Sequence, residues 1–95
     1  MGPTVEISLE KCDDSLLDAV DTALASIVDT IERTRKGRVW NIWVRSRPVH
    51  VSISESSLAI QLTAGCNEDV DYVVLQEVTH AIVQSVGGEA SEPVK

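Results

Sequence analysis

Residues Val39 to Ala64, VWNIWVRSRPVHVSISESSLAIQLTA, hold three short segments in which apolar and polar residues alternate with a period of two. Only an extended strand sends every second side chain to the same side, so the pattern requires a sheet with one buried face. Trp40, Ile42 and Val44 share a face in the first segment, Val49, Val51 and Ile53 in the second, and Leu58, Ile60 and Leu62 in the third. The breaks at Arg45–Pro48 and Ser54–Ser57 are short and turn-like, which predicts an antiparallel meander. With two-residue loops, Arg45 pairs with Pro48 and Ser54 with Ser57. That register sets Ile42 opposite Val51 and Ile53 opposite Leu58. It also aligns Trp43, His50 and Gln61 in one row on the opposite face, flanked by Asn41, Arg45, Ser52 and Thr63.

The chain of 95 residues suits one domain, and at this size folding buries roughly 60 to 65% of the unfolded surface. Its 43% apolar content supports a packed core, and with no Phe that core is aliphatic around one large ring, Trp40. No stretch approaches the ~18 apolar residues of a membrane span. Met1–Glu6 lacks a secretory pattern and puts Glu where a myristoylation signal takes Ser or Thr, so a cytoplasmic protein is expected. Cys12 and Cys66 show no metal-type spacing, imply no disulfide, and are read as structural or incidental thiols.

Thr4 to Leu9 alternates in the same way and predicts a further strand. Leu16, Leu17, Val20, Leu24, Ile27, Val28 and Ile31 then recur at helical spacing and predict a helix from the capping stretch Cys12–Ser15 to the basic residues Arg33, Arg35 and Lys36, with Gly37 as its stop. After the meander, Asn67 is a candidate cap for a second helix running to Val86, with Val74, Leu75, Val78, Ala81, Ile82 and Val86 as its stripe and Gly87–Gly88 as its end. Residues 89–95 read as a disordered polar tail after a domain spanning 1–88. The predicted fold is α+β: a single two-layer domain in the order β-α-β-β-β-α, an antiparallel sheet with two helices on one face.

A net charge of −7 argues against nucleic acid as the general partner. Six of the eight bases nevertheless fall between Arg33 and Arg47. The predicted connections gather Asp13, Asp14, Asp18, Glu68, Asp69 and Asp71 around Arg45 and Arg47 at one end of the sheet. Arg33, Arg35, Lys36 and Arg38 remain at the other end as a basic patch.

The element order is similar to the double-stranded-RNA-binding-like fold as used by ribosome hibernation factors, and that resemblance implies a ribosome- or RNA-associated role. Gln76-Glu77-Val78-Thr79-His80 resembles the HExxH helix of zinc metallopeptidases, with Glu77 in the place of the general base, His80 in that of a ligand and Gln76 in that of the first histidine. An amide is a poor zinc ligand, and Gln76, Glu77, His80 and Gln84 lie opposite the apolar stripe of the helix. A degenerate zincin-like domain is the most this second likeness implies. No triad and no phosphate loop is present, so no catalytic residue, metal or cofactor is assigned. The reading that results is a small, acidic, non-enzymatic protein of regulatory or adaptor type. It is expected to bind a protein partner or itself as a dimer through Trp43, His50, Gln61 and Arg45.

Overall fold

The computed structural model describes residues 2–9, 15–27, 30–54 and 58–93, and of 30–33 the backbone only. Its elements are β1 (Thr4–Ser8), α1 (Leu16–Ala25), β2 (Thr30–Lys36), β3 (Val39–Val44), β4 (Arg47–Ile53), β5 (Ala59–Ala64), α2 (Asp69–Val86) and β6 (Glu89–Ala90). The expected α+β architecture is present, with its β-α-β-β-β-α order intact and two strands added. The six strands among the described residues form one antiparallel sheet in the order β2-β3-β4-β5-β1-β6.

The first helix is shorter than its periodicity predicts. It ends at Ala25, where the Ser26 N–H donates to the carbonyls of Thr22 and Ala23 and the Ser26 hydroxyl donates to the Ala23 carbonyl at 2.7 Å. The following segment carries Ile27, Val28, Thr30, Ile31 and Thr34, and branching at Cβ disfavours helix while suiting a pleated strand. Thr30–Lys36 is accordingly β2, an edge strand, and Gly37 opens a two-residue hairpin loop rather than closing a helix. Its φ of 62° is the conformation such a loop takes at its first position.

The expected face assignments hold for nearly all strand residues. Trp40, Ile42, Val44, Val49, Val51, Ile53, Ile60 and Leu62 are buried and face the helices together with Val5 and Ile7. Leu58 is the exception, since β5 begins at Ala59 and Leu58 stands exposed before it. From the helices, Leu16, Val20, Ala23 and Leu24 of α1 and Val74, Leu75, Val78 and Ile82 of α2 complete the core. Each Val, Leu and Ile among them contributes about 1.5–3 kcal/mol by leaving water. Trp40 is fully enclosed, and its indole N–H donates to Asp21 Oδ1 of α1 at 3.2 Å, which ties β3 to the helix layer without leaving a buried donor unpaired.

Helix α2 is capped by Glu68 rather than Asn67. Glu68 and Asp71 form a reciprocal capping box in which the Glu68 N–H donates to Asp71 Oδ2 at 3.1 Å, while Asn67 accepts from the Tyr72 hydroxyl. Gly87, at φ 76°, stops the helix. The segment predicted as a disordered tail starts with an ordered part: Ala90 pairs with Ile7 and Glu89 with Ser8, and the Ser91 N–H donates to the Glu6 carbonyl at 2.8 Å.

Candidate interaction surface

The two faces of the sheet differ sharply. One is buried under the helices. The other carries Glu6, Asn41, Trp43, His50 and Gln61, all exposed, with Pro48, Ser52 and Thr63 half-buried between them. Trp43 keeps 42% of its surface open to solvent on this outer face, in contrast to the enclosed Trp40 three residues earlier. The exposed part of a ring this large is apolar area whose transfer free energy is unrealised, so Trp43 has much to gain from a contact.

The register differs from the predicted one by two residues. The hairpin loop is Arg45–Ser46, so Val44 pairs with Arg47, Trp43 with Pro48, Asn41 with His50 and Ile42 with Val49. On the next pair, His50 lies opposite Thr63, Ser52 opposite Gln61 and Ile53 opposite Ile60. A shift of two preserves the faces, which is why the core is as predicted while its neighbours are not. Trp43, His50 and Gln61 therefore share the outer face but lie on a diagonal across three rows. Trp43 has Pro48 beside it, and His50 stands in a row with Asn41, Thr63 and Thr4, where the Thr4 and Thr63 hydroxyls are 3.3 Å apart.

Arg45 leaves this surface altogether. It and Ser46 take positive φ values of 49° and 66° in the tight turn, and the Arg45 guanidinium forks onto the Glu77 carboxylate of α2 at 2.7 and 2.9 Å. Its charge is thus on the helix side, opposite Trp43. Glu77, the residue in the place of a zinc-enzyme base, is held by that fork, and His80 Nε2 lies 3.0 Å from Gln84 Nε2. Among the described residues no group of three or more His, Cys, Asp and Glu is placed to hold a metal.

Arg47 does reach the acids predicted around it. It meets Glu68 at 2.6 Å and Asp71 at 3.8 Å, and the hydrogen bond to Glu68 leads the causes that raise its pKa, against a smaller opposing effect of desolvation. Asp71 is fully buried, and among the described residues its Oδ1 has no hydrogen-bond partner. Asp18 sits at the opposite end of the sheet. α1 follows the Ser8 end of β1 and α2 follows the Ala64 end of β5, and these ends are opposite because Ser8 pairs with Ala59. Asp13 and Asp14 lie outside the described residues.

The predicted basic patch divides. Lys36 ends β2, and Arg38 sits in the hairpin loop and donates to the Ser54 carbonyl at 2.8 Å. The Arg35 guanidinium lies over the Trp40 ring, 5.1 Å from its centroid, on the helix side, and its Nε donates to the Gly37 carbonyl. The alternation of a strand therefore separates Arg35 from Lys36, which a shared last helical turn would have kept together. Arg33 lies opposite Ile42 in the ladder, and its side chain is outside the description.

No family model, curated protein or solved structure matches the chain. The likeness to the double-stranded-RNA-binding-like fold rests on element order alone, and β2 and β6 extend the sheet beyond that order. The signals that sequence reading passed over are the Gly37–Arg38 turn, which follows a run rich in β-branched residues, and the place of Pro48 next to Trp43. Cys66 is a free, exposed thiol, Cys12 lies outside the description, and among the described residues no helix is long and apolar enough to cross a membrane.

Proposed function

We propose that the protein acts without catalysis, by associating with another protein or with a second copy of itself through the outer face of the sheet. The observation that carries this reading is Trp43, half-open to solvent on a face that neither described helix covers, with Pro48 at its side. Tryptophan is among the residues most enriched at the energetic centres of interfaces, because one ring supplies much apolar area with few rotatable bonds. Asn41, His50 and Gln61 provide the surrounding polar rim that such a centre uses. A cytoplasmic setting belongs to the same proposal and is supported by the exposed free thiol of Cys66. The basic residues support an RNA-associated role less well, being divided between the two faces of the sheet and the hairpin loop.

Trp43→Ala is expected to leave the circular dichroism spectrum unchanged and to abolish association, read by light scattering for self-association and by pull-down for a partner. Association undiminished in the variant, or none with the wild-type protein, refutes the assignment.

A further inference from the structure

The two edges of the sheet are treated differently by the chain. At the β1 edge, β6 and the residues after it close the ladder: the Glu6 N–H donates to the Ser91 hydroxyl and the Ser91 N–H to the Glu6 carbonyl. At the other edge β2 runs seven residues, and among the described residues no strand pairs with its outer side. The direction of its backbone groups follows from the hairpins. A two-residue loop makes Lys36 and Val39 a hydrogen-bonded pair, and alternation then turns Thr34 toward β3 and leaves the amides and carbonyls of Arg33 and Arg35 pointing outward. The neighbouring pairs agree with this phase. The Ile53 N–H donates to the Arg38 carbonyl, the Ser54 N–H to the Ala59 carbonyl and the Gly65 N–H to the Pro48 carbonyl, as the same alternation carried across the sheet requires.

This open edge is also where the charge of an otherwise acidic chain reverses. Arg33, Arg35, Lys36 and Arg38 are four of the eight bases in a molecule of net charge −7. Among the described residues neither Arg35 nor Lys36 has a carboxylate partner. β2 and its loop hold one acid, Glu32, against these four bases, so the edge is net positive. Charged side chains do guard edges against self-pairing, but an edge of net positive charge repels its own copy and attracts a strand of the opposite sign.

We propose that β2 receives an extended acidic segment of another protein by strand addition, with the backbone of Arg33 and Arg35 supplying the hydrogen bonds, the Arg35 side chain the paired charge, and Lys36 on the other face a longer-range attraction. Acidic residues two apart in the incoming strand fall on one face of the extended sheet, within cross-strand reach of Arg35. The added strand would lie next to β2, one strand away from Trp43, so both surfaces can serve one partner. The inference rests on the association reading for its biological sense and does not require Trp43.

The probe is a capped synthetic peptide of Val-Glu-Thr-Glu repeats, titrated into the full chain labelled for NMR. The Arg33 and Arg35 amides should gain protection from hydrogen exchange, while the Thr34 and Lys36 amides, already bonded to β3, should not change. Arg35→Pro should weaken binding about tenfold, the equivalent of one strand hydrogen bond, since an edge strand tolerates Pro where its N–H faces out. Should that variant lose its fold, Arg35→Glu carries the test and should weaken binding and flatten its salt dependence. Protection absent at Arg33 and Arg35 overturns the proposal, as does displacement of the peptide by oligouridylate, which would mark the edge as a nucleic-acid surface. Loss of peptide protection with Trp43-dependent scattering intact condemns the edge alone, and peptide binding retained in Trp43→Ala with scattering unchanged condemns the sheet face alone.

Discussion

At the scale of single residues, Arg45 shows how a side chain can sit in a backbone conformation it would not choose. A left-handed φ costs a non-glycine residue about 1–2 kcal/mol, and the type of turn at Arg45–Ser46 asks for it twice. The fork to Glu77 opposes that cost, but both side chains are more than a third exposed, and pairs of this kind are worth only about 0.2–1 kcal/mol. The backbone cost is thus the larger. Arg45→Gly should be neutral or slightly stabilising because it removes both, whereas Arg45→Ala keeps the strain, loses the pair and should be destabilised by up to about 1 kcal/mol. Denaturant unfolding of the two variants measures the difference, and equal losses in both would show that the fork outweighs the strain.

At the scale of elements, the segment from Ile27 to Lys36 decides the architecture. Its apolar residues fit a helical stripe, yet its branched residues and the Gly-Arg loop after it fit a hairpin, and the hairpin prevails because β3 offers a full ladder of partners. Substitutions at Thr34, exposed at the edge with its hydroxyl 3.4 Å from the Asn41 carbonyl, separate the two conformations. In a strand Thr34→Val should be tolerated and Thr34→Ala should cost roughly 0.5 kcal/mol more, while a helix would rank Ala above Val. Thermal unfolding gives the order, and Ala above Val would contradict β2.

At the scale of the whole molecule, the sheet ends on one side in the two-residue strand β6 and on the other in the seven-residue β2, whose outer side pairs with no strand among the described residues. Removing residues 89–95 deletes β6 and the Ser91 bonds, and leaves Thr4, Glu6 and Ser8 of β1 with outward backbone groups unpaired. The truncated protein should lose stability and aggregate with rising concentration, since the strand so exposed carries only one charge, Glu6. A disordered tail would be removed without consequence, so unchanged light scattering and unchanged unfolding would refute a structural role for β6.

The fold class and most of the core were legible in the sequence because period-two alternation assigns each residue to a face without reference to its neighbours. Val5, Ile7, Trp40, Ile42, Val51 and Leu62 are buried for that reason alone. The outer-face placement of Trp43, His50 and Gln61 was legible on the same ground, but their mutual spacing was not. Register depends on which two residues form the loop, and at Arg45–Ser46 that is settled by a turn whose first residue clamps a helix more than thirty positions away. The sign of the conformation after Ala25 was equally beyond local reading, since helix and strand were both locally acceptable and only pairing with β3 chose between them. Side-chain periodicity is a property of the chain; edges, registers and the splitting of a basic run between two faces arise only when strands meet.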